Sequence, residues 1–285
     1  MRKIILALVL ISNLGFSQNK RTDLNFSTKY FDAVDKWVAF PNKDIDSSFA
    51  YGFIYLDNQA GFTFNYEDRF KIENGTFKKV GKNLQTGAAK YRIDTNANPV
   101  SILTKEQIKD LNLPDTPEWL SVYKQGSEKV GYLKNEGYYY NHAGACERAL
   151  VPLLQAYKIE PHFEGLEFEL SYAYNHLKQY KKAIPILDKA IKNNPKNFYF
   201  YRELGFSYVN LDQVKKAEEI YLKGISASDN DFEKSEMAIN MAQAFFKLKN
   251  RTKFNEWAKL TKKYAKKNSN YMQYIEYFEK NWNKN

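Results

Sequence analysis

Apolar positions alternate with smaller or polar ones in the first half of the chain and recur at helical spacing in the second. Phe49, Tyr51, Phe53 and Tyr55 alternate, residues 57–61 are turn-forming, and Phe62, Phe64 and Tyr66 alternate again. Two aromatic-rich runs of period two across a turn predict a β-hairpin. A second hairpin is expected from residues 70–72 and 77–80 about the Asn74-Gly75 pair, with another strand over 91–93. Residues 30–40 are apolar without a single period, so a short helix and a strand both stay open there. Thr104 and Gln107 have capping-box spacing and predict a short helix through Leu111. Pro114 and Pro117 then break the chain, and residues 119–123 open the helical part.

Between residues 130 and 231 one pattern recurs at a spacing of 34. Gly137, Ser171 and Gly205 form a column of small residues; Tyr140, Tyr174 and Tyr208 stand three later, and Ala149, Ala183 and Ala217 nine after that. Leu153, Leu187 and Tyr221 follow, and Pro161 and Pro195 close their units. The small columns predict pairs of helices in close approach, and the prolines predict where each second helix ends. Glu136 and Glu167 depart from the pattern, each occupying an apolar slot of the neighbouring units. After residue 231 the period slips by three, as Ala242 and Phe245 continue the columns of Gly205 and Tyr208 at a spacing of 37. A longer loop around 229–231 is expected to absorb the slip. Phe254 stands where Ala217 would, and Tyr274, Ile275, Phe278 and Trp282 predict a closing helix.

A period of 34 with these small, aromatic and proline columns resembles the tetratricopeptide repeat. The resemblance implies a mainly α architecture: an α-solenoid of about four helix hairpins with a closing C-terminal helix, behind a small α+β N-terminal segment. The expected divisions are an export signal at 1–17, the α+β segment at 18–127, repeats at 130–163, 164–197 and 198–231, a degenerate repeat at 232–270 and the closing helix at 271–285. The same resemblance implies that the first helix of each unit, helix A, lines a concave binding face. Carried onto this chain, that face comprises Lys134, Tyr138, Asn141 and His142, then Phe168, Tyr172, Asn175 and His176, then Tyr199, Arg202, Phe206, Val209 and Asn210, with Gln243, Phe246 and Lys247 in the last repeat. Asn141-His142 and Asn175-His176 stand out, since Asn amides can pair with both donors and acceptors of an extended peptide. The plainer reading is that Asn and His end helix A at its last turn.

Composition narrows the function classes. Arg2 and Lys3, an apolar run from 4 to 11 and small residues at Gly15 and Ser17 read as a secretory signal. No cysteine follows the run, so lipid anchoring has no acceptor. Export is expected, with the periplasm as destination and secretion or outer-membrane association as alternatives; the chain resembles exported bacterial repeat proteins. Nucleic acid fits poorly with that destination. The net charge of +10 is concentrated at the C-terminal end, where residues 234–285 hold 12 Lys or Arg against 4 Glu. Lys262, Lys263, Lys266 and Lys267 offer docking to an anionic envelope surface, or simply a solvated helix face.

Catalysis finds little footing. The single cysteine, Cys146, allows no intrachain disulfide and reads as a small buried residue. Three histidines, no dense acidic cluster and no glycine-rich phosphate loop point to no metal and no cofactor. The expectation is a non-enzymatic scaffold that binds a protein or peptide through its helix A face. The alternatives are a glycan- or protein-binding N-terminal β segment supported by the repeats, and surface docking through the basic end.

Overall fold

The computed structural model describes residues 23–41, 47–81 and 89–283, so the expected export signal lies outside the described residues. They form two compact units, one through Gln125 and one from Gly126.

The first unit is built on an antiparallel sheet of β1 (Lys36–Ala39), β2 (Phe49–Asp57), β3 (Gly61–Glu73), β4 (Thr76–Lys79), β5 (Lys90–Arg92) and β6 (Ser101–Ile102). The order is β4-β3-β2-β1-β6, with β5 pairing the N-terminal half of the same β3 edge whose other end takes β4. The two expected hairpins therefore share one strand: residues 62–66 and 70–72 both belong to β3, which runs for 13 residues. Glu67 is the extra residue where the register shifts, since Tyr51 pairs with Asp68 and Gly52 with Tyr66. Such a bulge bends and twists a long strand. Asn74 and Gly75 both have positive φ, at 49° and 74°, as a two-residue hairpin turn requires. Residues 30–40 resolve as a 3-10 turn, Tyr30–Asp32, followed by β1. The two-residue β6 had no sequence signal.

Period two gives the sheet two apolar faces. Tyr51, Phe53 and Tyr55 join Trp37, Phe70 and Phe77 in a core closed by Leu111 and Leu120, with Ile108 and Trp119 packed against it. These come from α1 (Lys105–Asp110), α2 (Leu120–Tyr123) and their flanks. The capping box is present: Gln107 N–H donates to Thr104 Oγ1 at 3.3 Å and Thr104 N–H to Gln107 Oε1 at 2.9 Å. Trp37 Nε1 ties β1 to the following loop by donating to the Pro114 carbonyl at 2.7 Å.

The second unit is an array of antiparallel helix pairs: α3 (Val130–His142) with α4 (Cys146–Ile159), α5 (Leu166–His176) with α6 (Tyr180–Asn193), α7 (Phe198–Asn210) with α8 (Val214–Ala227), and α9 (Asp231–Lys247) with α10 (Arg251–Tyr264). α11 (Asn270–Lys280) packs on α9 and α10 and closes the array. The glycine columns act as expected but against the column after the alanines. A Cβ on Gly137 would overlap the Leu153 side chain, and one on Gly205 would overlap the Tyr221 ring. Glu167 is buried yet paired, its Oε1 lying 2.9 Å from His162 Nδ1. Burial raises its carboxyl pKa above the usual range, against the pull of His162.

The slip of three is absorbed differently from expectation. Asp231 is the first residue of α9, which has 17 residues against 13 in α7, so the extra residues lengthen the helix and not the loop. Asn230 caps it, its side chain accepting from Phe232 and Glu233 N–H. Phe254 is fully buried, and its ring meets Trp282 at 4.8 Å. Ile275 and Phe278 are buried as expected of a closing helix, whereas Tyr274 is half exposed. Among the described residues no helix is long and apolar enough to cross a membrane.

Candidate functional site

Each first helix packs on its second and also on the first helix of the next pair, α3 on α5, α5 on α7 and α7 on α9. The A helices therefore lie side by side, and what their exposed stripe carries is the candidate surface.

Ring pairs one helical turn apart occupy that stripe. Tyr138 stacks on His142 with centroids 6.1 Å apart, and one repeat later Tyr172 meets His176 at 4.2 Å. Phe206 continues the column, and Tyr138 and Phe206 are 42% and 38% exposed, which leaves apolar area unclaimed by the core. Phe168 and Tyr199 meet edge to face at 5.6 Å, and the Arg202 guanidinium sits over both rings, 5.6 and 5.2 Å from their centroids.

The Asn141 and Asn175 amides are engaged within the fold. Asn141 Nδ2 donates to the Glu169 carbonyl at 2.9 Å and to Glu169 Oε2 at 2.8 Å. Asn175 Nδ2 does the same with Glu203, at 3.1 and 2.9 Å. Both are buried, and they fasten one A helix to the next. Their conspicuous spacing is that of a structural clasp. Lys134 turns to its neighbour Asn135, 3.2 Å from Oδ1, and Asn210 donates back to the Phe206 carbonyl at 2.9 Å. Phe246 is buried against Phe254, Phe278 and Trp282 and leaves the face altogether.

Across the A helices of the second, third and fourth pairs the stripe holds a polar pocket of about 150 Å³, lined by Tyr172, Asn175, His176, Arg202, Glu203, Phe206, Glu236 and Asn240. Arg202 pairs with Glu203 at 3.1 Å, Glu233 at 2.8 Å and Glu236 at 3.5 Å. Burial by itself would loosen its proton, but Glu203, Glu236 and Glu233 hold the guanidinium more firmly protonated than usual. Burial raises the Glu236 carboxyl, Arg202 opposes that rise, and Glu233 and Glu203 add to it. The repeat-family resemblance implied Arg202 but not its carboxylate partners, of which Glu233 and Glu236 on α9 reach it only once the helices are stacked.

The other candidate groups are accounted for locally. Cys146 is buried at the start of α4, and burial pushes its thiol pKa up, away from the thiolate form a nucleophile needs. Among the described residues no group of three or more His, Cys, Asp or Glu is placed to hold a metal ion. In the basic end, Lys262 pairs with Glu279 at 2.8 Å, Lys253 pairs with Glu218 and Glu256, and Lys263 lies over the Tyr264 ring at 4.9 Å. Of the expected cationic patch, Lys262 thus has a carboxylate partner at the surface, and all four lysines stay exposed.

Two tetratricopeptide-repeat family models match the chain, over residues 168–197 and 186–219. Residues 168–219 are tetratricopeptide repeats. No curated protein matches it. Among solved structures the repeat protein is similar to MamA MSR-1, with 20% identity, a TM-score of 0.43 and coverage of 56% of this chain and 88% of that one. It is also similar to TTC0263, a thermophilic TPR protein of Thermus thermophilus, with 16% identity, a TM-score of 0.46 and coverage of 57% and 86%. The first TPR domain of human RPAP3 aligns with 22% identity, a TM-score of 0.39 and coverage of 46% and 98%. The repeat array is a protein–protein interaction scaffold.

Proposed function

We propose that this scaffold is exported and captures an extended peptide or partner segment along its helix A stripe. The observation that carries the reading is the column Tyr138, Tyr172 and Phe206, which recurs at 34 residues and stays at least partly exposed while its flanking Asn residues are used inside the fold. Exposed rings on rigid, successive helices are suited to be anchors, because they supply contact area at little cost in side-chain entropy. The Arg202 pocket beside them supplies the polar contact that sets register. Export rests on the basic, apolar and small-residue order of residues 1–17.

The test is capture from envelope extract with the full chain lacking residues 1–17, set beside the same chain carrying Tyr172→Ala and Phe206→Ala. A partner retained by the first and lost by the second supports the stripe. Equal retention by both removes it as the site, and loss from both with added salt moves binding to the basic end. Fractionation of cells expressing the chain with and without residues 1–17 tests export: both forms remaining in the cytoplasm would refute it.

A further inference from the structure

The sheet of the first unit carries a pocket that the repeat scaffold does not explain. It lies on the face opposite α1 and α2, has a volume of about 400 Å³, and its walls include Phe40, Ala50, Phe64, Tyr66, Tyr91 and Ile93. Its origin is legible in the backbone. Gly52 has no side chain, and a Cβ there would lie 2.7 Å from the Phe64 ring, so that ring leans across β2 and meets Phe40 at 4.7 Å. Phe64 and its cross-strand partner Tyr91 on β5 both line the pocket, which lies over the seam between β3 and β5. Tyr91 is 56% exposed at the mouth.

The two charged side chains beside the pocket have partners of their own. The Arg92 guanidinium bonds Thr63 and pairs with Asp57 at 3.2 Å. The Asp94 carboxylate accepts Asn96 N–H at 2.8 Å and so holds the following turn. An occupant would find rings and aliphatic carbon and no guanidinium or ammonium to balance a charge. A sugar, with hydroxyls on every edge, would lose water here without enough replacements.

We propose that this pocket binds a neutral, apolar ring, aromatic or alicyclic, of about the size that pockets in the range of roughly 300–1,000 Å³ accept. The site is separate from the helix A stripe and does not depend on it.

The test is a fluorescence titration of the full chain with 1-N-phenylnaphthylamine, a neutral apolar probe, together with competition by maltohexaose as the hydroxylated ring. Two variants address the pocket, Ala50→Phe, which fills it, and Tyr91→Ala, which removes an exposed wall; Leu222→Ala, at an exposed position of α8 outside both sites, is the control. The expected result is saturable binding at one site, weakened at least tenfold by both pocket variants, unchanged in the control and indifferent to maltohexaose. No saturable binding, or equal binding by wild type and Tyr91→Ala, overturns the proposal, and displacement by maltohexaose overturns the apolar assignment. Should Ala50→Phe fail to fold by circular dichroism, Tyr91→Ala decides alone.

Discussion

The side-chain amide of Asn175 in α5 donates to both the carbonyl and the carboxylate of Glu203 in α7, while Ser207 Oγ donates to the Asn175 carbonyl oxygen at 2.7 Å. Every polar atom of that amide's contact with α7 therefore has a job. Asn175→Ala leaves the buried Ser207 hydroxyl and the Glu203 carboxylate without it, and a loss of about 2–3 kcal/mol is expected in urea unfolding.

One repeat earlier the same clasp is incomplete. Asn141 makes both bonds to Glu169, but its Oδ1 is buried without a partner, and Ala173 stands where the next repeat has Ser207. Ala173→Ser places a hydroxyl against that oxygen at the cost of one added atom. A gain of about 0.5–1.5 kcal/mol is expected by the same measurement, and it should vanish in an Asn141→Ala background.

Glu169 tests the electrostatics of the clasp. Burial raises its carboxyl pKa, and Asn141 and Lys134 only partly oppose that rise. The folded state thus binds this proton more tightly than the unfolded state, and stability falls as pH climbs from the ordinary carboxylate range through the raised value. Glu169→Gln retains an acceptor for Asn141 without the charge. It is expected to melt above wild type at pH 7, with the difference closing as pH falls below the ordinary carboxylate range, where Glu169 is protonated in both states.

Gly205 sets two effects against each other. Alanine is the better helix former by about 1 kcal/mol, but its Cβ would overlap the fully buried Tyr221 ring. Overpacking of a closed core costs about 1–3 kcal/mol and should win. Gly205→Ala is therefore expected to lower the urea midpoint, and an unchanged or raised midpoint would show that Tyr221 can yield.

What could be read from the sequence was whatever lies within one element or repeats between elements. The Thr104 capping box, the Asn74-Gly75 turn and the small-residue columns were legible because each rests on local spacing. The Asn141 and Asn175 clasps were visible as a recurrence but not as a function, since their partners stand 28 residues away and face them only after stacking. The shift of three residues before α9 was visible too, yet whether it lengthened a loop or a helix depended on the Asn230 cap and on burial of Met237 and Met241. The pocket over the β3–β5 seam left no trace, because it arises from the missing side chain of Gly52.

Arg202 is the cation that pairs with Glu203, Glu233 and Glu236 between the third and fourth pairs. Arg202→Met keeps most of the apolar length over Phe168 and Tyr199 but strands the carboxylates. A loss of about 3 kcal/mol is expected at pH 7, since removing one partner of a buried ion cluster leaves uncompensated charge. The pH dependence separates this from a loss of packing. Glu236 already has a raised pKa, and without the guanidinium it should rise further, so that the folded variant takes up a proton as pH falls. The variant should regain stability relative to wild type between pH 7 and pH 5 in urea unfolding, whereas a deficit constant with pH would mean that Arg202 acts through its contacts with the rings.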